Sequence, residues 1–205
     1  MWDSEQVRLF LAEARRSSPH YVLYLTMLLV GLRPGEALAL RWADVNLTLG
    51  TIEVHRKLYR LKGKLVWGET KTHRHHAVSI PQSLVADLKT YRDAQSLTGR
   101  EALVFAQFEG KPLHERNISR RDFRRLTKRA GLPRIRLYDL RHCAATLLAD
   151  QGTPVHIVQR RLGHSSPTTT LLYYTHVLPD TERAAAESLA TRLLDGVLDP
   201  GVSRG

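Results

Sequence analysis

The chain has 205 residues, 42% of them hydrophobic, which is enough for one well-filled domain and excludes a sequence too polar to pack a core. Lysine and arginine outnumber aspartate and glutamate by 31 to 20, and the formal charge of +11 favours a polyanionic partner, nucleic acid ahead of an acidic membrane surface. The longest apolar stretch, residues 21–32, is well short of the roughly 20 residues a bilayer crossing needs, and the single cysteine, Cys143, excludes an internal disulfide.

The opening segment reads as a helix, with Ser4 as cap, Glu5 in the first turn and Val7, Phe10, Leu11 and Ala14 at helical spacing. A second helix is predicted over about 20–32. Pro34 sits at a permitted first-turn position and begins a short third helix carrying Glu36, Ala37, Leu38 and Leu40, so Arg33 falls at a helix–helix junction. From Thr51 the pattern changes to alternation. Ile52, Val54 and Leu58, then residues 65–67 and 77–80, predict a three-stranded antiparallel sheet whose last connection, 69–75, is polar, basic and exposed. Helices resume over 83–94, 117–130, 138–151, 155–162, 167–176 and 180–197, with Gly131, Gly152 and Gly163 where helix C-termini belong. The class is mainly α with a small three-stranded antiparallel sheet (α+β).

Three groups of residues can carry chemistry. Gly31-Leu32-Arg33-Pro34-Gly35-Glu36 places an arginine at a junction with an acid three residues on; alone, it reads equally as a neighbourly ion pair. In Tyr138-Asp139-Leu140-Arg141-His142, Leu140, Ala144, Leu147 and Leu148 share the core face of a helix, while Tyr138 and Arg141 project from another face of its first turn. A phenol and a guanidinium at a helix N-terminus suit a phosphate. In Leu162-Gly163-His164-Ser165-Ser166-Pro167, Gly163 closes one helix and Ser166-Pro167 opens the next, leaving His164 on the corner, with Tyr173 and Tyr174 nine and ten residues later.

Together and in this order, these groups resemble the signature of the tyrosine site-specific recombinases of the phage-integrase family. That signature has an arginine in a Gly-Leu-Arg-x-x-Glu box, a lysine on a β-hairpin, a His-x-x-Arg helix, a Gly-His corner and a tyrosine nine or ten residues beyond. The resemblance spans residues 2–198. It implies that Arg33 and Arg141 clamp the phosphate, that Lys71 in Glu69-Thr70-Lys71-Thr72 is the hairpin lysine, that His164 is the corner histidine, and that Glu36 supports the first arginine. Tyr138 stands where the family usually has histidine. Tyr173 and Tyr174 both lie at spacings that relatives use. The run Tyr174-Thr175-His176-Val177-Leu178-Pro179 resembles the ending of relatives with the longer spacing, which assigns the nucleophile to Tyr174.

The resemblance implies a recombinase catalytic domain over 1–205, with a C-terminal helix at about 180–198, that cleaves and rejoins DNA through a 3′-phosphotyrosine. Two permanently charged guanidiniums can neutralise a phosphoryl transition state with bidentate hydrogen bonds, as metal ions do elsewhere. No metal, other cofactor or ATP is expected. The tyrosine has an ordinary pKa of about 10, so forming its phenolate at pH 7 costs roughly 4 kcal/mol without help. Lys71 is a plausible donor to the leaving 5′ oxygen, and Tyr138 can donate a hydrogen bond but is a poor base near pH 7. The partners implied are double-stranded DNA and other recombinase protomers in a tetrameric synapse, in the cytoplasm on the nucleoid, with no membrane. The family's additional N-terminal core-binding domain is absent, so the chain is expected to be a fragment of a longer protein.

Two rivals share parts of this pattern. A type IB topoisomerase uses the same arginine, lysine and tyrosine chemistry, but the Gly-His-Ser-Ser corner and short tyrosine spacing favour the recombinase. A catalytically inactive DNA-binding relative is disfavoured because every catalytic position is filled or conservatively replaced. For binding, residues 116–129 put Phe123, Leu126 and Ala130 on one helix face, with Arg120, Arg124 and Lys128 in one row and Arg121, Arg125 and Arg129 in another. Only some of these can face DNA. His73, His75 and His76 lack a cysteine or acid to complete a zinc set, so a basic hairpin tip beside Lys71 is the better reading.

Overall fold

In a computed structural model, residues 1–69, 76–174 and 186–193 are described. Helix α1 (Ser4–Ser17) is capped one residue earlier than expected: Asp3 accepts the Gln6 N–H at 2.8 Å, and the Gln6 side chain accepts the Asp3 N–H in return. Helix α2 (Tyr21–Val30) is apolar around its whole circumference and is buried almost throughout, packed against α1 and the later helices. It ends at Gly31, whose φ of 79° suits only a residue without a Cβ. Helix α3 (Pro34–Ala39) starts at once, with Arg33 as its cap residue. The rings of Trp2, Phe10, Tyr24 and Phe123 meet at centroid distances of 5.1 to 5.8 Å and join α1 and α2 to the helix that carries Phe123.

The strands pair differently from the expectation. The three-stranded antiparallel sheet consists of β1 (Val45–Asn46), β2 (Thr51–Val54) and β5 (His76–Ser79), with Ile52 opposite both Val45 and Val78. Strands β3 (Arg56–Leu61) and β4 (Lys64–Glu69) form a separate hairpin, turned at Lys62 and Gly63. The run through Ile52, Val54 and Leu58 therefore breaks at His55. The reason is tertiary: β3 crosses α3 so closely that a Cβ on Gly35 would lie 2.6 Å from the Leu58 carbonyl oxygen, and Leu58 is buried there. Leu58 packs on α3 as part of the β3–β4 hairpin, apart from the three-stranded sheet.

The remaining helices follow the predicted order. They are α4 (Gln82–Asp93), α5 (Glu115–Asn117), a π-helical stretch Ile118–Phe123 leading into α6 (Arg124–Arg129), α7 (Asp139–Asp150), α8 (Val155–Leu162) and α9 (Pro167–Leu171). Gly131, Gly152 and Gly163 all have positive φ. Helix α9 is shorter than the predicted 167–176 and gives way to a turn through Tyr174. Of the predicted final helix, 186–193 is helical and the rest lies outside the described residues. Cys143 is buried in the main core. A second, smaller core of Ala145, Ala149, Val158, Leu162 and Tyr174 joins α7, α8 and the turn after α9. Among the described residues no helix is long and apolar enough to cross a membrane.

Candidate active site

Arg33 and Arg141, 108 positions apart in sequence, converge on one carboxylate. Glu36 accepts the Arg33 backbone N–H at 2.9 Å and its guanidinium at 2.6 Å, and lies 3.8 Å from Arg141. Arg141, which the helix pattern places off the core face, is only 2% exposed. Its guanidinium donates to the carbonyls of Gly31 and Leu162, at the ends of α2 and α8, where helix dipoles favour a cation. Burial and the nearby Arg33 charge pull its pKa down to about 10, with Glu36 opposing, so it stays charged at neutral pH. For Arg33, burial disfavours the charge, but Glu36 and Tyr138 more than offset this and the pKa rises. Arg33 keeps 39% of its side chain in solvent, so its guanidinium can meet an incoming phosphate.

The corner after α8 presents His164 to this pair. Gly163 (φ 64°) admits no side chain: a Cβ would lie 2.6 Å from the His76 ring, which packs on it from β5. Thr170, fully buried, bonds His164 Nδ1 at 2.8 Å and leaves Nε2 for a ligand. Burial, then Arg141, Arg33 and His142, push the His164 pKa down to about 4, so near neutral pH it is an uncharged imidazole. Tyr138 stands at the entrance to α7 with its ring edge-on to His142 at 5.1 Å.

The two adjacent tyrosines diverge. Tyr173 reaches into the site: its hydroxyl is hydrogen-bonded to His142 Nδ1, and its ring lies nearly parallel to His164, 16° between planes. Tyr174 turns the other way, buried in the small core with its hydroxyl donating to the Thr153 carbonyl. Burial raises both phenols' pKa values; for Tyr173 the arginines oppose the rise without reversing it. The site thus gathers Arg33, Arg141, Tyr138 and His164 as expected, and holds Tyr173 where Tyr174 was expected.

A family model, that of the phage integrase family, matches residues 2–180. The chain belongs to the phage integrase family. The ICEBs1 integrase of Bacillus subtilis (strain 168) is 30% identical over 197 residues, covering 92% of this chain and 53% of the relative. A XerC-like tyrosine recombinase of Caldanaerobacter subterraneus is 29% identical over 200 residues, covering 87% and 51%. This integrase-family chain therefore spans about half the length of these curated relatives. Among solved structures, the Tn1549 transposon integrase in complex with circular intermediate DNA matches with a TM-score of 0.81 at 25% identity, covering 92% of this chain and 66% of that one. The catalytic domain of bacteriophage HP1 integrase matches 99% of this chain and 98% of its own, with a TM-score of 0.61 at 21% identity, a likeness of fold.

Two further features of this integrase fold bear on the site. Lys71, with His73 and His75, lies outside the described residues; the next residue on, His76, is the one seated on Gly163. The two basic rows have different fates. Arg125 is paired with Asp122 at 2.6 Å and donates to the Ser17 carbonyl, and Arg129 is paired with Glu13 at 3.1 Å. Arg120, Arg124 and Lys128 instead line an open cleft together with Arg134, Arg136 and Asp139, the residue after Tyr138. His142 has no counterpart among the residues that the signature picks out, although it lies four positions after Tyr138 and thus on the same helix face.

Proposed function

We propose that this domain cleaves and rejoins double-stranded DNA as the catalytic part of a site-specific recombinase, through a 3′-phosphotyrosine intermediate. The observation that carries the reading is the convergence of Arg33 and Arg141 on Glu36, beside His164 and a tyrosine hydroxyl. Two guanidiniums held by one carboxylate are pre-oriented donors, and a preorganised positive site lowers the barrier most where charge accumulates on the phosphoryl oxygens. His164, neutral and anchored by Thr170, donates a third hydrogen bond from Nε2, and Tyr138 a fourth.

In this mechanism Tyr174 attacks the phosphate, Lys71 protonates the leaving 5′ oxygen, and the phosphotyrosine conserves the bond energy for rejoining. The sequence run from Tyr174 to Pro179 supports that assignment. For the attack, the Tyr174 hydroxyl leaves the Thr153 carbonyl and takes the slot that Tyr173 fills. Tyr173 as nucleophile is the second reading, favoured by its hydroxyl already facing the arginines. DNA lies along the cleft of Arg120, Arg124 and Lys128, and further protomers complete the synapse.

A nicked suicide duplex, which lets the cut end diffuse away and traps the covalent adduct, tests the reading. Adduct from Tyr173→Phe and none from Tyr174→Phe is expected, in EDTA as well as in Mg²⁺. The reverse pattern moves the nucleophile to Tyr173, and no adduct from the unaltered chain refutes the recombinase chemistry.

A further inference from the structure

We infer that His142 is a further catalytic residue, whose Nδ1 takes the proton from the tyrosine hydroxyl that attacks the phosphate; the inference rests on the recombinase reading above. Position 138, one helical turn earlier on the same face, carries a phenol, which accepts a proton poorly near pH 7. Of the imidazoles around the Tyr173 ring, His164 has its Nδ1 committed to Thr170 and meets the face of that ring. His142 is the one hydrogen-bonded to the hydroxyl. Tyr173 and Tyr174 are consecutive, Tyr173 lies between His142 and His164, and in the proposed mechanism the attacking phenol occupies that place. Whichever attacks is presented to the same nitrogen.

The surroundings of His142 keep it able to accept. Tyr138, Asp139, Arg141 and Arg136 face it from α7 and the residues before it, Tyr173 from the turn after α9, and His164 from the corner. Burial lowers its pKa, Arg136 and Arg141 lower it further, and Asp139 opposes, so the ring is neutral near pH 7. The phenol does not ionise unaided, since burial outweighs the arginines at Tyr173. In the step, the phenol O–H breaks as the Nδ1–H bond forms, the tyrosine oxygen bonds to phosphorus, and the 5′ oxygen departs with a proton from a separate donor. On rejoining, the His142 imidazolium returns its proton to the phenolate.

The test measures single-turnover adduct formation on nicked duplexes with either an ordinary 5′ oxygen or a bridging 5′ sulfur, which leaves without needing a proton. His142→Asn, which keeps a polar side chain, is expected to slow adduct formation about 100-fold on both substrates. It is also expected to abolish the fall in rate on the acid side of the pH profile, and added imidazole is expected to restore part of the rate to His142→Ala. An unaltered rate in His142→Asn overturns the inference. So does a defect seen with oxygen but cured by sulfur, because that places His142 on the leaving group. If the unaltered chain forms no adduct on either duplex, the recombinase reading itself fails, and the inference with it.

Discussion

The Arg141 guanidinium lies 3.8 Å from the Glu36 carboxylate, with both side chains almost wholly excluded from solvent. Removing one member of such a pair leaves the other charge buried without its counterion, at a cost of about 3 kcal/mol. Glu36→Gln is therefore expected to lower the free energy of unfolding by about that amount, read by urea denaturation. It should also slow adduct formation, because Arg33 loses the carboxylate that orients it.

The two basic rows are expected to separate binding from stability. Changing Arg120, Arg124 and Lys128 to alanine removes charges that line the open cleft. Every DNA phosphate that is no longer neutralised should flatten the slope of log K against log salt by about 0.9. Arg129→Ala instead breaks an ion pair to Glu13 on α1, and should change thermal stability with little effect on that slope. Fluorescence anisotropy at several salt concentrations, with melting curves alongside, checks both; equal slopes in the two sets of variants would contradict the assignment of rows.

Acid should weaken the fold through His164. Its pKa is near 6.5 when unfolded and about 4 when folded. Between those values the unfolded chain binds a proton that the folded chain does not, so stability rises with pH. The contribution is complete above about pH 6.5 and is lost as the pH falls towards 4. His20, His76 and His142 shift in the same direction and add to the slope. His164→Gln is expected to be less pH-sensitive across this window than the unaltered chain, in urea denaturation at a series of pH values.

Tyr138 interacts with the Arg33 guanidinium, and in the proposed mechanism it donates to a phosphoryl oxygen. Tyr138→Phe should lower the single-turnover cleavage rate by the equivalent of about 2 to 4 kcal/mol, the range for one donor to a developing oxyanion. Tyr138→His should remain active, because an imidazole there also donates and restores the common arrangement of the family. A Tyr138→Phe variant that cleaves at the unaltered rate would make the hydroxyl a bystander.

What the sequence by itself determined were features written in neighbouring residues. Gly131, Gly152 and Gly163 mark helix ends because few residues with a Cβ tolerate their φ, and Pro34 and Pro167 mark helix starts because their missing N–H costs nothing there. Such chemistry is local, so helix order, the corner at His164 and the junction at Arg33 were all legible, and the spacing of the boxes pointed to the family.

Only the tertiary structure decided what depends on packing between distant segments. Arg141 reads as a projecting polar residue on its own helix, yet it is buried because Gly31, Glu36 and Leu162 arrive around it from three other elements. The strand through Leu58 reads as part of one sheet, yet α3 draws it away. The tandem tyrosines read as alternatives, and their placement follows from which neighbour offers each hydroxyl a partner: His142 for Tyr173, the Thr153 carbonyl for Tyr174. The Ser17 carbonyl that accepts from Arg125 and the Glu13 carboxylate that pairs with Arg129, which tie one basic row to α1 and its end, lie more than a hundred positions away in the chain. Helical periodicity says which residues share a face, but the element that covers the face is chosen by packing of the whole chain.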